Sequence, residues 1–292
     1  MLKTTYGVCR VDKETGFSFV PARHCFFIRF LPDITVAQGR DDVSGVSMDQ
    51  RKIALFDIDR TIYDGYLIFP LAEYFFKNGL VGRGVVNALS NDLRLYSSAR
   101  VDYETTVENL NTHWAAGLRG RSPDLVLRLT RAFLETGGAG SFFPFAHPLM
   151  DLLRSTHDIY FVTGEVQCVG KAVADHFSAH GFISSEMEVK DSMFTGNIAR
   201  SLAKKEGKRD AIEHLMRVYP YEWSLAFGDS DGDIELLAKV DHAFCINPTE
   251  TLEAVAVSKG WHIVTPLSVL EVVKETLQRQ TEAKTKTGRL NQ

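Results

Sequence analysis

The chain has 292 residues, of which 45% are hydrophobic and 24% charged, with a formal net charge of −4 at pH 7. It is long enough to bury a large core, as one large unit or two compact ones, and its composition is ordinary for a globular enzyme. The charge gives no electrostatic case for nucleic acid or an anionic membrane as partner, and no apolar stretch approaches the roughly 20 residues that cross a bilayer.

Residues 1–50 mix Gly, Asp, Arg and short apolar fragments without a sustained strand or helix period, which predicts a poorly ordered extension outside the core. The apolar patch Cys25-Phe26-Phe27-Ile28 is cut by Arg29, against a signal peptide, and Asp12, Glu14 and Asp33 count against a transit peptide. Met48 stands just ahead of the first apolar run, so the folded unit is expected to begin there, the preceding segment being an extension or a mis-assigned start. Cys9, Cys25, Cys168 and Cys245 form no CxxC pair and read as reduced, unligated thiols of a cytoplasmic protein.

Ile53-Ala54-Leu55-Phe56 is a continuous apolar run, as expected of a strand buried on both faces of a parallel sheet. Similar runs are Ile159 to Val162, Ser224 to Phe227 and Ala243 to Ile246. Helical patterns lie between and after them, at Val169 to His180, Lys208 to Tyr219, Ile234 to Val240 and Thr251 to Lys259. This alternation predicts an α/β fold with a doubly wound, mostly parallel sheet, whose ligands sit outside the carboxyl ends of the strands. Residues 182–197 read as a surface hairpin turning at Lys190-Asp191-Ser192.

The first strand is followed by a different texture. Four apolar stripes at helical spacing occupy residues 66–136: Ile68, Leu71, Ala72 and Phe75; Val85, Leu89, Leu93 and Tyr96; Tyr103, Val107, Leu110, Trp114 and Leu118; and Leu125, Leu129 and Phe133. The last opens at Ser122-Pro123, a good N-cap followed by a first-turn proline. They predict an inserted helical bundle in which the Tyr103–Trp114 stripe is core rather than ligand wall, with Gly137 to Ser141 as a flexible return. The expected organisation is a catalytic core of residues 51–65 and 142–278, a helical cap of residues 66–141 and a disordered tail of residues 279–292.

Two of the strands end in acids, at Asp57-Ile58-Asp59-Arg60-Thr61 and Gly228-Asp229-Ser230-Asp231-Gly232-Asp233. Carboxylates crowded at the ends of adjacent strands repel one another unless a hard cation stands between them, and Mg²⁺, which keeps positions open for a phosphate, is the expected one. An aspartate beside such an ion can act as a nucleophile on phosphorus. With Thr163-Gly164 and with Lys208 opening a helix, these motifs fall in an order that resembles the haloacid dehalogenase-like phosphatase superfamily, over about residues 52–275. Within it the chain most resembles the branch containing phosphoserine phosphatase, and Asn247-Pro248 followed by Gly260-Trp261 is similar to that branch too.

The resemblance implies roles for individual residues. Asp57 would be the nucleophile and a Mg²⁺ ligand. Asp59 would be the general acid and then base, its carbonyl ligating the metal, and Asp229 would supply the other metal carboxylate. Thr163 and Gly164 would hold phosphate oxygens together with Lys208, which also neutralises charge on the nucleophile. Thr61 and Asp233 would support the site, Asp233 by orienting Lys208 or a metal water. The implied function is Mg²⁺-dependent hydrolysis of a small phosphate ester through an aspartyl-phosphate. The alternatives are a phosphotransferase using the same intermediate and an inactive binding protein, and no oligomeric state is implied. Two departures count against phosphoserine itself: Tyr66 stands where that branch has a glutamate that meets the substrate ammonium, and Glu165 follows Thr163-Gly164, where it is expected on the access side of the substrate. Gly232, where that branch often has asparagine, is expected to thin the surroundings of the metal.

Overall fold

The structure is a computed structural model that describes residues 9–10, 18–19, 52–218 and 221–290. The chain divides into two units, Met1–Thr35 and Val36–Gln292. In the first, β1 (Cys9–Arg10) pairs antiparallel with β2 (Ser18–Phe19). The expectation of a poorly ordered extension over residues 1–50 otherwise lies outside the described residues.

The second unit opens with β3 (Lys52–Phe56), followed by the inserted helices α1 (Ile68–Lys77), α2 (Arg83–Ser97), α3 (Tyr103–Gly117) and α4 (Pro123–Glu135). The chain returns through α5 (Ala146–Arg154), β4 (His157–Val166), α6 (Gln167–His176) and the hairpin of β5 (Gly181–Lys190) and β6 (Met193–Arg200). It continues with α7 (Lys205–Val218), β7 (Trp223–Gly228), α8 (Ile234–Leu237), β8 (His242–Ile246), α9 (Glu250–Lys259), β9 (His262–Val264) and α10 (Val269–Leu290). The strands form one sheet in the order β6-β5-β4-β3-β7-β8-β9, parallel throughout except for the edge strand β6. Among the described residues no helix is long and apolar enough to cross a membrane.

Helices cover both faces of this sheet, so its central strands are buried along nearly their whole length, as their unbroken apolar runs require. A row of rings locks their register. Phe56 stacks on Phe227 with centroids 4.3 Å apart, Phe227 on Phe244 at 4.9 Å and Phe244 on His262 at 4.7 Å. Each pair is also a register pair between neighbouring strands. Cross-strand aromatic pairs on one face stabilise a sheet in one alignment, because a slip of one residue would turn every ring to the other face.

The structure also departs from the pattern reading. β4 does not stop at Val162 but runs to Val166 with a register shift on the way, so Thr163 and Gly164 lie within an irregular strand end. The hairpin at 182–197 turns through Asp191 and Ser192, both at positive φ, and its first strand is also a full member of the sheet. Gly138–Ser141 forms a 3₁₀ turn instead of a flexible return, and a Cβ at Gly138 would collide with the Phe133 ring. The tail expected over residues 279–292 is helical as far as Leu290. α10 is anchored by buried Val269 and Val273 and continues through good helix formers, with an Arg279–Glu275 pair one turn apart. β9 has only three residues and went unpredicted.

Within the insertion, α1 buries the expected Ile68, Leu71, Ala72 and Phe75. Ser122 caps α4 by accepting a hydrogen bond from the Leu125 N–H, with Pro123 in the first turn. α2 is turned from its expected stripe: Val86, Leu89 and Asp92 are its buried residues, and the Asp92 carboxylate is satisfied by His113 Nδ1 at 2.7 Å. Phe75 stacks on Trp114, and both are fully buried, which ties α1 to α3. Phe75→Ala should therefore cost about 3–5 kcal/mol of stability, measured by urea denaturation. A loss below about 1 kcal/mol, the range of surface substitutions, would show that this contact does not hold the insertion together.

Candidate active site

The ring row sets Phe56 beside Phe227, and the chain emerges from both strands at the same level. There the Asp57 N–H donates to the Phe227 carbonyl at 3.0 Å. The chain after Asp57 folds back at once: Arg60 takes a positive φ of 57°, its N–H donates to the Gly65 carbonyl, and Gly65 sits at φ 107°. This tight turn returns the chain to the start of α1, where the Leu67 N–H donates to Asp59 Oδ1 at 2.8 Å. After β7, Gly228 leads into the second acidic loop. A Cβ on Gly228 would lie 2.5 Å from Asp233 Cβ, so glycine is what lets Asp233 fold back beneath the strand end.

Lys208, in the first turns of α7, joins the two loops. Its Nζ donates to Asp57 Oδ1 at 3.1 Å and to Asp233 Oδ1 at 2.9 Å, with all three side chains buried. The other Asp233 oxygen accepts from the N–H groups of Asp229 and Ser230 and from the Ser230 hydroxyl, at 3.1–3.2 Å. One aspartate therefore holds both the lysine and the loop that carries Asp229. Thr61 Oγ1 lies 3.5 Å from Asp229 Oδ1, and Arg60 Nε lies 2.9 Å from Asp229 Oδ2.

Asp57, Asp229 and Asp233 each offer an oxygen within 4.8 Å of the others. Asp229 Oδ2 is buried and has no hydrogen bond of acceptable geometry, its contact with Arg60 being one of charge alone. A set of buried carboxylates with an oxygen left unsatisfied suits a hard divalent cation such as Mg²⁺. Of the residues expected to ligate metal, Asp57 and Asp229 belong to this cluster. The Asp59 carboxyl is turned to Leu67 and Glu165, which accords with a part for its backbone carbonyl alone, and Asp233 is the third carboxylate of the cluster.

Burial raises the Asp57 carboxyl well above the usual carboxylate range, the Asp233 charge adds to this, and Lys208 opposes it. Asp229 is raised by burial and by its neighbours Asp233 and Asp57. Asp59 is raised by burial first and by Glu165 second, so it holds its proton more tightly than an ordinary aspartate. Burial alone would lower Lys208, but the charges of Asp233 and Asp57 outweigh it and keep the ammonium protonated.

Thr163 is buried and its Oγ1 accepts the Glu165 N–H at 3.1 Å. The Gly164 carbonyl accepts from Asn111 Nδ2 of α3 at 2.9 Å and from the Ser185 hydroxyl of β5 at 2.8 Å. Pinning that carbonyl fixes the plane of the following peptide, and so the direction of its N–H. Asn111 and Ser185 were not singled out in the sequence, although an asparagine inside an apolar helical stripe is a visible anomaly. Glu165 is not on an access side: it is buried against Asp59, and burial pushes its carboxyl up to about 7.

A narrow cleft lies over these groups and is walled by residues of α2 and α3. Tyr103, Val107 and Leu110 face it, whereas Trp114 is core, so the α3 stripe expected to be all core divides between two roles. α3 also approaches the acidic loop closely. A Cβ on Gly232 would lie 2.7 Å from Tyr103 Cε1, and one on Gly164 would lie 3.2 Å from Val107 Cγ1. The space that Gly232 leaves is therefore filled by the Tyr103 ring.

Comparison with known proteins adds a family. A model of the haloacid dehalogenase-like hydrolases matches residues 54–238. A probable phosphatase of Mycobacterium tuberculosis is 26% identical over 223 residues, covering 75% of this chain and 77% of that protein. A histidinol-phosphatase of Neisseria meningitidis is 24% identical over 226 residues, covering 73% of this chain and 98% of its own. Among solved structures, a protein of unknown function from Bordetella pertussis superposes with a TM-score of 0.62 at 21% identity, covering 74% of this chain and 99% of its own. A substrate-bound phosphoserine phosphatase does so with a TM-score of 0.54 at 14% identity, covering 74% and 93%. At these identities the structural likeness speaks for the fold.

The close approach of α3 to the acidic loop has a measurable consequence. Gly232→Ala should overpack the contact and cost about 1–3 kcal/mol by urea denaturation. Adding Tyr103→Leu to the same chain should recover most of that loss. A neutral Gly232→Ala would show that the loop and α3 yield without cost.

Proposed function

This chain belongs to the haloacid dehalogenase-like hydrolase family, and from that premise we propose that it is a Mg²⁺-dependent phosphatase of small phosphate monoesters, working through an aspartyl-phosphate on Asp57. The observation that carries this reading is the buried Asp57–Lys208–Asp233 array, whose Asp57 lines one cleft together with Asp59. The relatives described as phosphatases support it.

In the first step an Asp57 oxygen attacks phosphorus and the bond to the ester oxygen breaks. Lys208 lies against the attacking carboxylate and offsets the negative charge that gathers there, the main demand of phosphoryl transfer. Asp59, held by the Leu67 N–H at the start of α1, gives its proton to the departing alkoxide. In the second step water attacks phosphorus and its proton goes to Asp59. The acyl-phosphate bond breaks, phosphate leaves and Asp57 is regenerated. Thr163 and the peptide N–H groups beside it would hold the nonbridging oxygens. Mg²⁺, held by Asp57 and Asp229 with Asp233 behind them, would supply positive charge to the same oxygens. The α2 and α3 walls limit bulk water over the cleft, as a closing lid does. The buried free thiols of Cys168 and Cys245 accord with a cytoplasmic setting.

Asp57→Asn should abolish turnover of p-nitrophenyl phosphate, with at least about a 10³-fold loss; retained activity would remove Asp57 as the nucleophile. Asp59→Asn should behave differently. Nitrophenolate leaves without a proton, so this variant should release about one equivalent of it in a burst and then stall as the phosphoenzyme. Steady turnover without a burst would remove Asp59 from the second step.

A further inference from the structure

The proposed chemistry leaves the alcohol part of the ester open, and the cleft constrains it. Among the described residues, the charged side chains lining the cleft are four carboxyls, Asp57, Asp59, Glu165 and Asp229, and one cation, Arg60. That guanidinium stands at the phosphate end, 2.9 Å from Asp229 and beside the Tyr66 hydroxyl. The apolar part of the lining is Phe69, Leu93, Val107 and Leu110, with the rings of Tyr66, Tyr96 and Tyr103 also facing the cleft.

Four of the neutral polar side chains of the lining are already in use. The Thr106 hydroxyl donates to the Asp102 carbonyl at 2.7 Å, and the Asn111 amide to the Gly164 carbonyl and the Ser185 hydroxyl. The Ser230 hydroxyl donates to Asp233, and that of Thr249 to Asp231 at 2.6 Å. A substrate carboxylate placed against these carbons would meet acidic neighbours and, among the described residues, no lining cation but Arg60, which is already paired with Asp229; a charge buried without a partner is strongly disfavoured. An apolar body would be favoured on the same wall. The aromatic lining already packs edge to face, Tyr96 against Tyr103 at 6.3 Å and Tyr66 against Phe69 at 6.1 Å, the geometry in which a further ring is readily accepted.

We propose, building on the phosphatase reading above, that the substrate is a phosphate monoester of an uncharged alcohol with an apolar, aromatic body, and not one that carries a second acid group. The test uses the purified full chain with Mg²⁺ and four probes: acetyl phosphate, whose small activated leaving group makes little use of the wall; benzyl phosphate; O-phosphoserine; and phosphoglycolate. The last three are esters of unactivated alcohols, so leaving-group strength does not decide among them. The expected result is a kcat/KM for benzyl phosphate about 100-fold or more above those of the two acid-bearing esters, within the range that pocket contacts supply. Leu110→Ala should lower the ratio of benzyl phosphate to acetyl phosphate kcat/KM about fivefold or more, the scale of a few buried methylenes. Turnover of acetyl phosphate with no preference for benzyl phosphate, with neither ester class accepted, or with an unchanged ratio in Leu110→Ala overturns the substrate class and leaves the phosphatase reading standing. Failure of all four probes removes both.

Discussion

Three buried carboxylates whose oxygens lie within 4.8 Å of one another are the constraint on which the rest of this molecule depends. Two like charges about 4 Å apart repel by roughly 4 kcal/mol at the effective dielectric suited to protein sites, so the cluster is tolerable only if cations are brought to it. Lys208 is one, placed between Asp57 and Asp233 from a helix that starts far from either in sequence. Arg60 is another, set against Asp229 by a left-handed turn. Asp229 Oδ2 meets Arg60 by charge and accepts no hydrogen bond, which leaves it able to face a further cation. A site that demands this much positive charge in a buried place is also one that can bind a phosphoryl group and stabilise charge moving onto it.

The fold meets that demand through register and through small residues. The stacked rings of Phe56, Phe227, Phe244 and His262 hold four strands in one alignment, which brings two acidic loops out of the sheet side by side. Gly228 lets Asp233 turn back under the strand end, and Gly232 and Gly164 leave room for α3 to close from above. The insertion is thus more than a cover. Through Asn111 it fixes the peptide beside Thr163, through Tyr103 it packs on the acidic loop, and through Val107 and Leu110 it forms part of the cleft wall.

Much of this was legible in the sequence, for a physical reason. Strands buried on both faces need unbroken apolar runs, and a phosphoryl site needs its acids at strand ends, so β3, β7 and β8 and the residues Asp57, Asp59 and Asp229 stand out of the chain. What escaped depends on contacts between distant residues. Periodicity finds the α3 stripe but does not separate a side chain facing core, such as Trp114, from one facing a cavity, such as Tyr103. The buried face of α2 was misjudged because Asp92 lies on it, made acceptable only by His113 from the next helix. Glu165 looks like a surface acid until Asp59 is seen beside it. β9 is too short to show a pattern and is held by the Phe244–His262 stack.

The central claim is that Asp57 carries the phosphoryl group between two half-reactions. The most direct measurement is to quench the full chain with acid during turnover of a phosphate ester labelled on phosphorus, then map the labelled peptide. The account predicts label on the peptide containing Asp57, stable to acid and released by hydroxylamine as an acyl phosphate must be. Turnover with no label retained on the protein, or label on a different residue, would contradict it.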